Sequence, residues 1–205
     1  MFDRGEIPTS RRGLASFVRE NSGKLYGRTG IYDPEASSTG MLLINQDLRI
    51  DHENWDLVST IGRHKPKLYT STRDIIRDVS SGKLAIAYNI IGSYAFQRAR
   101  DDPAFGVIVP AEYTLMMSRV AIIARRARHP IAAERLLNFL LSSHGQRLIS
   151  ERGMSPIRSD VPQPHPELSG SNIRAIRAGP APLANLDSRN RKRFIDQWNE
   201  TVEPH

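Results

Sequence analysis

The chain has 205 residues, 39% hydrophobic and 25% charged, a globular composition with length for one domain or two small lobes. It contains no cysteine, which excludes disulfide scaffolds, thiolate-held zinc, iron–sulfur clusters and cysteine nucleophiles. Lys and Arg number 29 against 22 Asp and Glu, a net charge of +7; this fits an anionic partner or a basic protein whose arginines solvate helix faces.

No apolar run approaches the roughly 20 residues of a membrane-spanning helix. The opening MFDRGEIPTSRRG has no apolar core of the kind a signal peptide carries. The expectation is either a cytoplasmic protein or one whose export signal lies outside this sequence.

In chain order, Ile7 to Ser10 reads as an extended entry to a helix capped by Thr9 or Ser10, burying Leu14, Phe17 and Val18, with Gly23 and Gly27 breaking it. Arg28 to Tyr32 is a short strand stopped by Asp33-Pro34. Ser37 to Gly40 opens a helix through Met41 to Ile44, and Asp51 caps a third helix with Trp55, Val58 and Ile61 on one face. Pro66 to Tyr69 is extended; Ser71 or Thr72 caps a fourth helix through Val79, closed by Ser81-Gly82. Leu84 to Tyr88 and Phe105 to Val109 read as buried strands, and Thr114 to Ala124 is the most strand-like stretch of all. His129-Pro130 starts a helix with Ala133, Leu136, Leu137, Leu140 and Leu141 at helical spacing, followed by a short helix from Gly145 to Glu151. Gly153 to Pro166 is irregular, and a last helix runs from Asp187 to Trp198. Helices alternating with short apolar strands predict an α/β layer fold, by default a parallel sheet covered on both faces.

The histidines (52, 64, 129, 144, 165 and 205) show no HxxxH or HExxH spacing, so no helix-borne metal pair is indicated. There is no GxSxG, Walker loop or GxGxxG either, and no local constellation argues for an enzyme. Arg125, Arg126 and Arg128, with the run Arg189 to Arg193, would serve a basic nucleic-acid binder; that alternative predicts salt-sensitive nucleic-acid affinity. Neither cluster is interleaved with the aromatics of a single-strand binder, so nucleic acid is not the favoured partner.

Two segments are candidate sites. Ser37, Ser38, Thr39 and Gly40 place hydroxyls and free backbone N–H groups at a helix start, where an anion is favoured; a plain helix cap explains any one of the hydroxyls equally well. Tyr88, Asn89, Gly92, Ser93 and Tyr94 follow a buried strand, at the carboxyl end where open α/β sheets bind ligands. Tyrosines at the core edge and a Gly92-Ser93 turn are the structural alternative.

Together, Gly27 to Gly40 (GRTGIYDPEASSTG), Asp78 to Tyr94 (DVSSGKLAIAYNIIGSY), His129 to Gln146 (HPIAAERLLNFLLSSHGQ) and Gly153 to Arg158 (GMSPIR) resemble the second lobe of periplasmic solute-binding proteins of iron(III)-type ABC importers. The last helix, Leu186 to Trp198, is similar to the closing segment of a branch related to the phosphoglycerate transport regulatory protein. The resemblance implies a type II periplasmic-binding-protein-like α/β fold, mainly the second lobe with hinge-crossing strands and C-terminal helices. It implies a hinge-proximal segment and helix over 1–26, an α/β second lobe with ligand-facing loops over 27–124, and a helical crossover and tail over 125–205. Family members are usually longer, with a signal peptide and a first lobe ahead of Ile7, so the chain is expected to be truncated; an isolated lobe that self-associates through its exposed face is a further alternative.

The implied role is non-catalytic binding of a small anionic solute, phosphorylated or carboxylated, in the periplasm, with no cofactor. Its partner would be an ABC permease or a sensor kinase. Classical ferric binders of the family carry a consecutive tyrosine pair where this chain has Gly92-Ser93 beside Tyr94. A ferric ion held by Tyr88 and Tyr94 is therefore the alternative ligand, since a hard cation wants several anionic oxygens.

Overall fold

The computed structural model describes residues 2, 4–168, 172–176 and 187–202. Three short parallel strands form its centre: β1 (Thr29–Tyr32), β2 (Lys67–Tyr69) and β3 (Ile86–Ala87), in the order β2-β1-β3. Gly30, Ile31 and Tyr32 pair with Lys67, Leu68 and Tyr69, while Thr29 and Gly30 pair with Ile86 and Ala87. Every residue of β1 is buried, as a central parallel strand requires. Ile31 joins a cluster on one face; Tyr32 joins another on the opposite face, with Ile75 and Leu84.

Helices α1 (Arg11–Glu20), α3 (Ser38–Ile50), α4 (Asn54–Arg63) and α9 (Ser188–Val202) build the first face. Ala15, Ile44, Leu48, Leu57, Val58, Ile61, Trp198 and Val202 meet there. Ser10 caps α1, its hydroxyl accepting from the Gly13 N–H at 3.0 Å. The break after α1 falls at Asn21, and Gly23 lies inside the short α2 (Ser22–Leu25) instead of ending a helix. Asp51 does not cap α4: it follows the last residue of α3, and its carboxylate accepts from the Glu53 N–H in a turn between the helices. On the other face lie α5 (Thr72–Ser80) and α6 (Gly92–Asp101).

Two expected strands change. Phe105 to Val109 is not a strand: no described strand pairs with it, Pro110 lacks an N–H, and nearby the Ala111 N–H donates to the distant Thr9 carbonyl. Thr114 to Ala124 is strand only as β4 (Thr114–Met117), paired in parallel with β5 (Ile173–Ile176) among the described residues. Residues 118–124 run on exposed, with Val120 and Ile122 standing 75% and 85% free. The segment before α6 pairs over Ile86–Ala87 alone, although Ala85 and Tyr88 donate to Arg28 and Gly30 on either side. The last helix forms as expected and extends to Val202; Leu186, quoted with it, lies outside the described residues.

Helix α7 (Pro130–Leu141) also forms as its spacing predicts, followed by α8 (Ser143–Glu151) capped by Ser142. Its apolar face is not buried, however. Leu136 and Leu141 are exposed together with Ile131 and Phe139, the Phe139 ring meeting only the edge of His144 among the described rings.

A buried polar knot ties the entry of the chain to the rest. The Asp47 carboxylate, on α3, accepts from the Arg11 guanidinium at 3.1 Å, from the Tyr113 hydroxyl at 2.6 Å and from the Tyr88 hydroxyl. Arg11 also donates to the Tyr88 oxygen at 3.1 Å and the Tyr113 carbonyl at 3.0 Å, and lies over the Tyr113 ring. Asn54 donates to the Tyr113 hydroxyl at 2.8 Å. Burial raises the Tyr88 and Tyr113 phenols above their ordinary range, and the Asp47 charge raises them further. Both therefore remain protonated donors.

Asp47→Asn would leave the buried Arg11 charge with only the more distant and more exposed Glu112 carboxylate at 3.6 Å, so a loss of about 3 kcal/mol in urea unfolding is expected. Arg11→Met combined with Asp47→Leu should cost far less than the two single changes added together. A single loss below about 1 kcal/mol would mean that water already solvates the pair.

Gly62 is the second constraint. A Cβ there would lie 2.7 Å from both the Thr201 carbonyl oxygen and Val202 Cα, backbone atoms that cannot turn aside. Gly62→Ala should destabilise by about 1–3 kcal/mol through this overlap, against a gain of up to about 1 kcal/mol in helix propensity. A thermal melt checks it: an unchanged or higher Tm would show that α9 is not seated against α4.

Candidate functional site

Because β1, β2 and β3 are parallel and each leads into a helix, their carboxyl ends share one edge with the N-termini of α3, α5 and α6. Helix N-termini present unpaired N–H groups and a partial positive charge. The edge is thus a donor-rich rim set by topology, the position where open α/β sheets hold ligands.

At the start of α3, the Ser37 hydroxyl is buried and accepts from the Gly40 N–H at 3.1 Å, a normal N-cap. Ser38 is exposed and Thr39 half-buried at the first turn. Gly40 is required by packing: a Cβ would meet Tyr32 Cβ at 2.6 Å and the Asp33 carbonyl at 3.0 Å. Asp33, at the start of the loop ahead of this turn, folds back on that loop, accepting from the N–H groups of Glu35 and Ala36.

The second segment divides in two. Tyr88 is spent inside the knot, its hydroxyl between Asp47 and Arg11. Asn89 has a left-handed backbone, φ +56°, and its buried amide nitrogen has no partner among the described residues. A left-handed non-glycine residue at a strand end is uncommon, and an unpaired buried donor is costly. Gly92, Ser93 and Tyr94 form the first turn of α6, with Tyr94 43% exposed.

Several residues at this edge were missed in the sequence. The Tyr32 hydroxyl, ending β1, is hydrogen-bonded to Thr72 Oγ1 at the start of α5 and lies beside the Ile91 backbone and the Tyr94 phenol. Burial raises the Tyr32 phenol, keeping it protonated. Arg119, two residues beyond β4, donates to the Tyr94 hydroxyl at 2.8 Å. Thr72 sat in the sequence only as a helix cap, and Arg119 lay within a stretch read as strand; contact between distant segments is what reveals them. Among the described residues, no group of three or more His, Asp or Glu could hold a metal ion. None of the described helices is long and apolar enough to cross a membrane.

The left-handed backbone at Asn89 predicts that Asn89→Gly melts no lower than the parent and Asn89→Val several degrees lower. Equal melting of the two variants would remove the constraint.

No curated protein matches the chain significantly. Among solved structures, it is similar to the crystal structure of the substrate binding protein of an ABC transporter from Agrobacterium tumefaciens. The two are 27% identical with a TM-score of 0.86; the match covers 96% of this chain and 60% of the other, so the chain spans less than two thirds of that protein. A family model described as bacterial extracellular solute-binding protein matches residues 6–172. The parallel α/β layer, the donor-rich carboxyl edge and this match agree: the chain belongs to the bacterial extracellular solute-binding protein family, whose members are non-catalytic.

Proposed function

We propose that the chain acts as the solute-binding lobe of an ABC importer, or of a ligand-sensing system built on the same fold, and that its solute is a small phosphorylated or carboxylated anion. The observation that carries the reading is the convergence of three helix N-termini with Ser38, Thr39, Thr72, Ser93 and Tyr94 at one sheet edge. The net charge of +7 favours the same class of solute. The similarity to an ABC transporter's substrate binding protein supports the transport role, with a permease or sensor kinase as partner. The resemblance of the last helix to the phosphoglycerate regulatory branch favours a phosphorylated solute, and the family description favours the periplasm as the compartment. Ser37, Gly40, Tyr88, Asn89 and Gly92 shape the site; the exposed hydroxyls and Tyr94 contact the solute.

An organic anion suits this edge better than a ferric ion. The Tyr88 phenol that iron would need as a phenolate is already a donor to Asp47, and burial opposes its ionisation.

A thermal-shift screen of the chain against phosphorylated metabolites, dicarboxylates and ferric citrate tests this. An anion at a hundred times its Kd should stabilise by about 2.7 kcal/mol, raising Tm, and Ser38→Ala with Tyr94→Ala should cut the effect. A shift with ferric ion alone, or a clean transition that no compound moves, would overturn the reading.

A further inference from the structure

We infer that Arg119 is the charge-selecting residue of the solute site, donating to an anionic oxygen held against Tyr94 at the start of α6. The inference rests on the proposed function and adds the group that discriminates charge. Arg119 is exposed, and its guanidinium reaches the Tyr94 hydroxyl at 2.8 Å. Among the described residues no carboxylate lies within ion-pair distance of it, unlike Arg11, Arg12, Arg19, Arg77, Arg98 and Arg158. A planar guanidinium with open N–H groups matches carboxylate and phosphate oxygens in a fixed fork.

Its surroundings are donors. Tyr94 accepts from Arg119 and so keeps its own proton to give outward, while Tyr32, Thr72 and the Ile91 backbone lie behind it. A neutral solute would leave the Arg119 charge unmatched, and a cation would be repelled. The residue arrives on the segment beyond β4, from a different part of the chain than α3, α5 and α6. It can therefore add charge to a rim whose other members are neutral hydroxyls.

The test is titration calorimetry on the full chain with inorganic phosphate, glycerol 3-phosphate and succinate, in the parent, Arg119→Gln, Arg119→Lys and Arg125→Gln. Arg125→Gln removes the same charge from a neighbouring exposed arginine. The expected result is that Arg119→Gln weakens anion binding about tenfold to a hundredfold, Arg119→Lys less, and Arg125→Gln little. Tm without solute should not change in Arg119→Gln. Whether the phosphates or succinate carry the effect identifies the anionic group. Binding that survives Arg119→Gln, or falls equally in Arg125→Gln, would overturn the role of Arg119 while leaving the anionic solute in place. A parent chain that binds none of the three would overturn both.

Discussion

The ion pair between Arg11 and Asp47 is the interaction on which the remaining structure hangs. Both side chains are almost wholly buried, and desolvating two charges is favourable only when every lone pair and proton finds a partner. Here Tyr88, Tyr113 and Asn54 supply those partners. Satisfying one carboxylate therefore fixes α1, α3, the end of β3 and the chain just before β4 at a single point. The knot contributes position more than energy, because a well-packed apolar replacement of the same shape could be as stable.

That positioning reaches the solute edge through α3 and through Tyr88. Asp47 sits in the later part of α3, the helix whose first turn carries Ser38 and Thr39. Tyr88 directly precedes the left-handed Asn89, after which the chain enters α6. Two of the three helix starts at the rim are thus anchored from below by one buried carboxylate. The third, α5, is tied by Thr72 to Tyr32 and at its other end by Asp78, which accepts from Tyr69, Lys83 and Arg77.

Local signals made much of this legible in advance. Ser10 and Ser37 cap helices because their hydroxyls reach an N–H three residues ahead, a pattern visible in a short window. The strand around Ile31 and the helix after Thr72 follow from their stop and cap signals, and the helix after His129 from apolar spacing. Long-range pairing was not legible. Thr114 to Ala124 has the composition of a long strand, yet its partner, β5, lies nearly sixty residues further on and no local signal marks it. The knot escaped notice because Arg11 and Asp47 look like surface charges until Tyr113 closes over them. Tyr88 was legible as a strand-end tyrosine, but its inward role depends on that same carboxylate. Arg119 was invisible for the converse reason: only the folded chain brings it to Tyr94.

The seat of α9 against α4 has a kinetic side. Trp198 and Val202 complete the cluster that α1 and β1 begin, and Arg11 meets Tyr113 across 102 residues of sequence. Contacts that join such distant positions require closing long loops before any stabilisation returns, which slows folding. The packing of α1 and β1 on this face is therefore completed late in folding, when Trp198 and Val202 close the cluster.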